Sequence, residues 1–176
     1  MKQSVRPMLL EEIPLVIDYF HSASEEYLRG MGVDPGKLPS RDELHQIAKQ
    51  DFQLPNTERQ FYYLAWEFGG KVIGHHNINM IKYGVDARMH LHVWPSQHRK
   101  KGLGTQFVKL TLPIYFREFD LQRLFCEPYS ENPGPNFTLP KAGFKFLEQV
   151  ETVPGWINFH QKINRYVIKR EKVIAG

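Results

Sequence analysis

Apolar residues recur at helical spacing from about Leu10 to Ser22, with Ile13, Val16, Ile17 and Phe20 on one face, which predicts an amphipathic helix packed on a sheet. Val5 to Met8 precede it as a short strand. Ser24 to Pro39 carries three glycines and two prolines and reads as irregular, with a helical turn at Glu25 to Leu28. A second helix starts at Ser40, because Ser40-Arg41-Asp42-Glu43 is a capping box in which the serine hydroxyl and the glutamate carboxylate satisfy each other's backbone donors. From Gln60 the pattern turns aromatic and β-branched: Phe61 to Phe68, a Gly69-Gly70 turn, then Lys71 to Ile81, which is a hairpin. Arg88 to Trp94 extends this antiparallel set after a turn at Tyr83 to Asp86.

Further on, Gly102 to Phe119 reads as a helix with Phe107, Leu110, Leu112 and Tyr115 available for burial and a kink at Pro113. Leu124 to Glu127 is a short buried strand. A helix from Pro133 ends at Gly143, and Phe144 to Val150 with Ile157 to Lys169 make a last hairpin. The expected fold is a single α+β domain over residues 1–176, with a mixed, mostly antiparallel twisted sheet of about seven strands flanked by about four helices. One strand-helix-strand unit spans residues 88–127.

Composition narrows the function classes. The chain has 176 residues, 41% hydrophobic and 24% charged, and its 23 basic against 19 acidic residues leave +4, too mild for a nucleic-acid partner but suited to an anionic ligand. No run approaches the roughly 20 apolar residues of a membrane span, and Glu11, Glu12, Pro14 and Asp18 break the stretch that a signal peptide needs after Met1-Lys2. Cys126 is the sole cysteine, so no intrachain disulfide forms and a cytoplasmic location is expected.

The segment Leu91-His92-Val93-Trp94-Pro95 leads from a strand into Arg99-Lys100-Lys101-Gly102-Leu103-Gly104-Thr105. A helix start of this kind binds anions, because its free N–H groups and the positive end of its dipole converge while glycine lets a diphosphate approach the backbone. The second informative segment runs from Asn132 through Asn136 to Phe144. Taken jointly, the two resemble the GNAT superfamily of acyl-CoA-dependent N-acyltransferases. Arg99-x-x-Gly102-x-Gly104 matches the family's pyrophosphate loop, and Asn132, Lys141, Gly143 and Phe144 fall at the family's intervals of nine, eleven and twelve. Leu91-x-Val93 matches the strand whose backbone pairs with pantetheine. Residues 24 to 60 contribute nothing specific to the match.

The resemblance implies transfer of an acetyl or other acyl group from acyl-CoA to an amine, with acetyl-CoA as co-substrate and no metal. The acceptor is a small-molecule amine or a protein N-terminus, entering against residues 24 to 60, and a homodimer through Ile157 to Lys169 is one option. The implied cofactor-binding residues are Leu91, Val93, Arg99, Lys100, Lys101, Gly102, Leu103, Gly104, Thr105, Asn132, Asn136 and Lys141. Three positions depart from the pattern: Pro95 stands four residues before Arg99 where three is commoner, Pro135 replaces a small residue, and Leu139 replaces the tyrosine that often serves as acid.

The chemistry needs a neutral amine, a polarised thioester carbonyl and a proton donor for the leaving sulfur. A backbone N–H near Val93 is the implied polariser. Where a glutamate base is usual, Met89-His90-Leu91-His92 offers two imidazoles; His90 is the first candidate base, His92 the second, and Tyr129 the candidate acid, ahead of Glu131. Two other readings stay open. His75, His76, His90, His92 and His98 suggest a histidine-ligated metal site, and loss of the usual tyrosine fits a CoA-binding module without catalysis. Cys126 reads as an inert buried strand residue.

Overall fold

A computed structural model of the chain describes residues 2–94 and 102–174. Pro95, His98, Arg99, Lys100 and Lys101 lie outside the described residues. In chain order the elements are β1 (Gln3–Pro7), a 3-10 turn at Leu10–Glu12, α1 (Ile13–His21), α2 (Glu25–Gly30), a 3-10 turn at Pro35–Lys37, α3 (Arg41–Asp51) and β2 (Phe61–Phe68). There follow β3 (Lys71–Lys82), β4 (Asp86–Val93), α4 (Leu103–Glu118), β5 (Arg123–Cys126), α5 (Pro133–Lys141), β6 (Lys145–Thr152), β7 (Gln161–Lys169) and α6 (Arg170–Val173). The capping box expected at Ser40 forms and starts α3.

The seven strands make one sheet in the order β1-β2-β3-β4-β5-β7-β6. Only β4 and β5 are parallel; every other neighbouring pair is antiparallel. Six α-helices stand among the described residues where about four were expected, because α2 and α6 are short segments whose apolar spacing carries little periodic signal. The last strand starts at Gln161 rather than Ile157, since residues 153–160 leave the sheet as a loop. It is also hydrogen-bonded on both sides, between β5 and β6, so among the described residues the edge strands are β1 and β6. No helix among the described residues is long and apolar enough to cross a membrane.

Helices cover both faces of the sheet. On one, α4 buries Val108, Leu112, Tyr115 and Phe116 against Ile78, Ala87, Met89 and Leu124, while Phe107 stacks on Trp66 with ring centroids 4.8 Å apart. Leu110, expected to be available for burial, is 44% exposed, on the far side of the helix. On the other face, α1 and α3 pack Ile13, Val16, Ile17 and Ala48 against Met8 and Ala65. Cross-strand alternation then sorts β4 into two sets: Ala87, Met89 and Leu91 lie under α4, and His90 and His92 lie on the face of α1.

Candidate active site

The parallel pairing of β4 with β5 ends at Arg88↔Phe125, although β4 continues to Val93. Beyond that pair the strands part. After β5 the chain turns toward β7, where Tyr129 bridges Ile163. Glu127 marks the branch: its carboxylate, buried at 7% side-chain exposure, accepts from Arg88 Nε at 3.1 Å and Arg165 Nε at 2.6 Å, joining β4 to β7 across the opening.

The register of β3 and β4 decides which backbone groups face this gap. Trp94 N–H donates to Ile73 O at 3.0 Å, and with Gly74 opposite Val93 and His76 opposite Leu91, the even-numbered residues of β4 bond to β3. Main-chain N–H and C=O groups alternate along a strand, so those of Leu91 and Val93 are directed to the gap. The side chains of both residues pack beside Leu103 and Phe107, which sets the first turn of α4 against the same opening. Gly102 is the N-cap of that helix and has φ +74, a left-handed conformation that glycine adopts without penalty. A Cβ on Gly104 would rest in ordinary contact with Thr138, 3.5 Å from its Oγ1, so a larger side chain on that side meets Thr138 first.

A small hollow of about 100 Å³ follows the parted strands, lined by residues that include His90, Leu91, His92, Glu127, Tyr129 and Asn132. A larger one of about 180 Å³ lies on the α1 side and also includes His90 and His92 in its wall. These two histidines therefore stand at the junction of the hollows. His90 Nε2 lies 3.0 Å from Asn79 Oδ1, an acceptor, so Nε2 holds the proton and Nδ1 presents a lone pair. His90 is exposed by area, yet protein crowds the ring from the sides. This burial lowers its pKa to about 4, against an upward pull from Glu127 and with a smaller lowering from Arg88. His92 sits in an aromatic nest, stacked on His75 at 4.7 Å and 3.4 Å from Tyr19 OH.

His75 and His76 are fully buried. Adjacent strand residues face opposite sides, so each is held by its own tryptophan: Trp94 Nε1 donates to His75 Nδ1 and Trp66 Nε1 to His76 Nδ1, both at 2.9 Å. Desolvation drives both imidazoles well below their usual range. Among the described residues no group of three or more His, Cys, Asp or Glu side chains is placed to hold a metal ion. Cys126 is buried, and burial pushes its thiol up.

Tyr129 lines the smaller hollow, edge-on to Phe159 at 5.7 Å, and a hydrogen bond to Glu131 raises its phenol above the usual range. Asn132 is the N-cap residue of α5, but its side chain makes no capping hydrogen bond. Asn136 differs from the expectation of a cofactor contact. Its Nδ2 donates to Tyr129 O and Asn132 O, and its Oδ1 accepts from Asn164 Nδ2 and Tyr166 OH, so the amide is engaged within the protein and braces the turn that presents Tyr129. Lys141 Nζ rests 3.7 Å over the Phe137 ring.

One wall of the larger hollow comes from residues 24 to 60: Met31, Val33, Leu38, Leu44, Ile47 and Ala48. The opposite wall, Pro154 to Asn158, belongs to the loop between β6 and β7, where the sequence pattern predicts a hairpin turn running into a strand at Ile157; the proline, glycine and tryptophan there are the signal of a longer loop. This loop is tied to residues 32–37: Asn158 Nδ2 and Gln161 Nε2 donate to Gly32 O at 2.8 and 2.7 Å, and Asp34 N donates to Ile157 O at 2.8 Å. Gly32 has φ +82, and a Cβ there would collide with the Gln161 carboxamide. Gly32→Ala is expected to cost about 1–3 kcal/mol of stability from the strained φ and to release this wall; urea unfolding checks the first effect and an amine-selective rise in KM the second.

Residues 5–145 match the family model described as the acetyltransferase (GNAT) domain. Among solved structures the chain is similar to spermidine N-acetyltransferase from Vibrio cholerae in complex with CoA and spermine, at TM-score 0.78 and 16% identity over 98% of each chain. It is also similar to RimL, the ribosomal L7/L12 alpha-N-protein acetyltransferase, in complex with coenzyme A, at TM-score 0.76 and 13% identity over 96% of this chain and 94% of that one. A third similarity is to aminoglycoside acetyltransferase AAC(6')-Ib in complex with coenzyme A and kanamycin, at TM-score 0.70 and 15% identity over 97% and 96%. At these identities the likeness is one of fold. Among curated protein sequences nothing matches the chain.

Proposed function

The chain belongs to the GNAT acetyltransferase family, and we propose that it transfers an acyl group, acetyl foremost, from acyl-CoA to an amine where β4 and β5 part. The observation that carries this reading is the end of parallel pairing at Arg88↔Phe125, which leaves a slot beside the first turn of α4. In it, the Leu91 backbone pairs with the pantetheine arm, and the N–H groups from Gly102 to Thr105, with Arg99, Lys100 and Lys101, take the diphosphate. Asn132 and Lys141 are assigned to contacts along CoA; Asn136 holds the turn instead.

The amine nitrogen attacks the thioester carbonyl carbon while the N–H at Val93 stabilises the developing oxyanion. His90 Nδ1 then takes a proton from the nitrogen, the C–S bond breaks, and Tyr129 OH protonates the leaving sulfur. The lowered pKa of His90 fixes the order of these steps. Moving a proton from a free ammonium to an imidazole held below its usual range is uphill, so the amine arrives neutral and His90 acts after attack, when the nitrogen of the adduct is far more acidic. His92, stacked on His75 in its aromatic nest, is assigned a positioning role.

Calorimetry at low salt is expected to detect acetyl-CoA uptake, and Gly104→Val to weaken it by about tenfold or more by crowding Thr138. His90→Ala is expected to lower kcat by about 100-fold and Tyr129→Phe by about tenfold, with acetyl-CoA affinity retained in both. Absence of acetyl-CoA uptake by the wild-type protein overturns the assignment.

A further inference from the structure

Resting on that reading, we infer that the acceptor is a small monoamine with an apolar, ring-sized body, and that polycations and amino acids are excluded by the chemistry of the pocket wall. The larger hollow borders His90 and His92, so it is where the acceptor nitrogen meets the thioester slot. Its wall is built by Ile13, Val16, Ile17 and Phe20 of α1, Leu44 and Ile47 of α3, and the loop from Pro154 to Asn158. Among the described residues that line it there is no aspartate, glutamate, lysine or arginine. Its polar groups are uncharged amides, rings and a phenol, among them Tyr63, Asn77, Asn79 and Trp156, and the histidines His75 and His90 are held neutral at pH 7.

Such a wall discriminates by charge. A second ammonium carried into it finds no carboxylate, and a substrate carboxylate finds no cation, so either loses hydration without recovering it. A single amine escapes this cost, because it must be neutral to react and its nitrogen sits at the histidine junction. Size agrees. A dry apolar cavity of about 150 Å³ holds a benzene ring, and this one measures about 180 Å³. The loop ties at Gly32 and Asp34 fix the two side walls, which limits the body to about one ring or a branched alkyl group.

The test measures CoA release from acetyl-CoA with 2-phenylethylamine and 3-methylbutylamine against spermidine, kanamycin, lysine and a peptide with an apolar first residue, alongside acetyl-CoA calorimetry. The two apolar monoamines are expected to exceed spermidine, kanamycin and lysine in kcat/KM by about 30-fold or more. Asn77→Asp places one carboxylate on the cavity wall with little change of shape and is expected to move the spermidine-to-phenylethylamine ratio toward spermidine by about tenfold. Preference of the wild-type protein for spermidine, kanamycin, lysine or the peptide overturns this inference and leaves the transferase standing. Acetyl-CoA uptake without turnover of either monoamine does the same. Failure to take up acetyl-CoA at all removes the transferase reading, and this inference with it.

Discussion

Acidification from pH 7 to pH 5 is expected to remove a large share of the protein's stability, because His75 and His76 stay neutral in the fold and take up protons on unfolding. Both are fully buried, and their folded-state pKa values lie well below the usual imidazole value. The unfolded chain therefore binds more protons than the folded one throughout the window below about pH 6.5, and stability rises with pH there. Each such group contributes about 1.4 kcal/mol per pH unit in that window, so the pair accounts for about 4 kcal/mol at pH 5, a large share of the 5–15 kcal/mol typical of a domain. Neither ring has a carboxylate among the groups that shift it: His75 is lowered further by His92, His76 and His90, and His76 by His92. Asp51 opposes the trend, since burial raises its carboxyl and the folded state then holds its proton more firmly. Glu12 and Glu67, lowered by partners that include Arg6, add acid sensitivity at still lower pH. Urea midpoints measured at half-unit pH intervals test this. A flat profile between pH 7 and pH 5 refutes it, and His76→Gln is expected to lower the slope by about a third, since His75 and His90 are lowered in the same way.

Glu127→Ala is expected to cost about 3 kcal/mol and to weaken acyl-CoA binding together with stability. The carboxylate is the buried member of a cluster: Arg88 and Arg165, at 26% and 27% side-chain exposure, each donate to one of its oxygens. Removing it leaves two guanidinium groups facing each other in a partly dry opening, and loss of one member of a buried pair typically costs 3–5 kcal/mol. Partial exposure of both arginines places the estimate at the lower end. Arg165 keeps its pairing with Glu148, and Arg88 keeps the Phe125 ring 5.5 Å from its guanidinium. The same charges hold β4 to β7 across the slot, so the lost ties relax its width. A lowered urea midpoint with unchanged slope, together with a raised Kd for acetyl-CoA, is the expected outcome. Glu127→Gln keeps the shape and one acceptor and is expected to recover about half of the stability. If Glu127→Ala unfolds at the wild-type midpoint, the cluster is not structural.

The elements that carry strong periodic or turn chemistry were legible in the chain. The 3.6-residue spacing of Ile13, Val16, Ile17 and Phe20, the capping box at Ser40 and the alternation of β2 to β4 all depend on neighbours a few residues apart, and so did the glycine-turned start of α4 and the placement of His90 and His92 on one strand face. Local spacing fixes which side of a strand or helix a residue occupies. What tertiary structure alone decided was which of those residues meet. The ion cluster of Glu127 with Arg88 and Arg165 spans 39 and 38 positions, the wall formed by Gly32 with Asn158 and Gln161 spans 126 and 129, and the His90 shift depends on walls drawn from several elements. Asn136 resembles a ligand contact in sequence, but four protein partners from two segments, the turn at Tyr129 to Asn132 and strand β7, engage its amide. Pairings of this range are set by the sheet order and by the strands parting after Arg88, and burial, the source of the shifted histidines, has no counterpart in the extended chain.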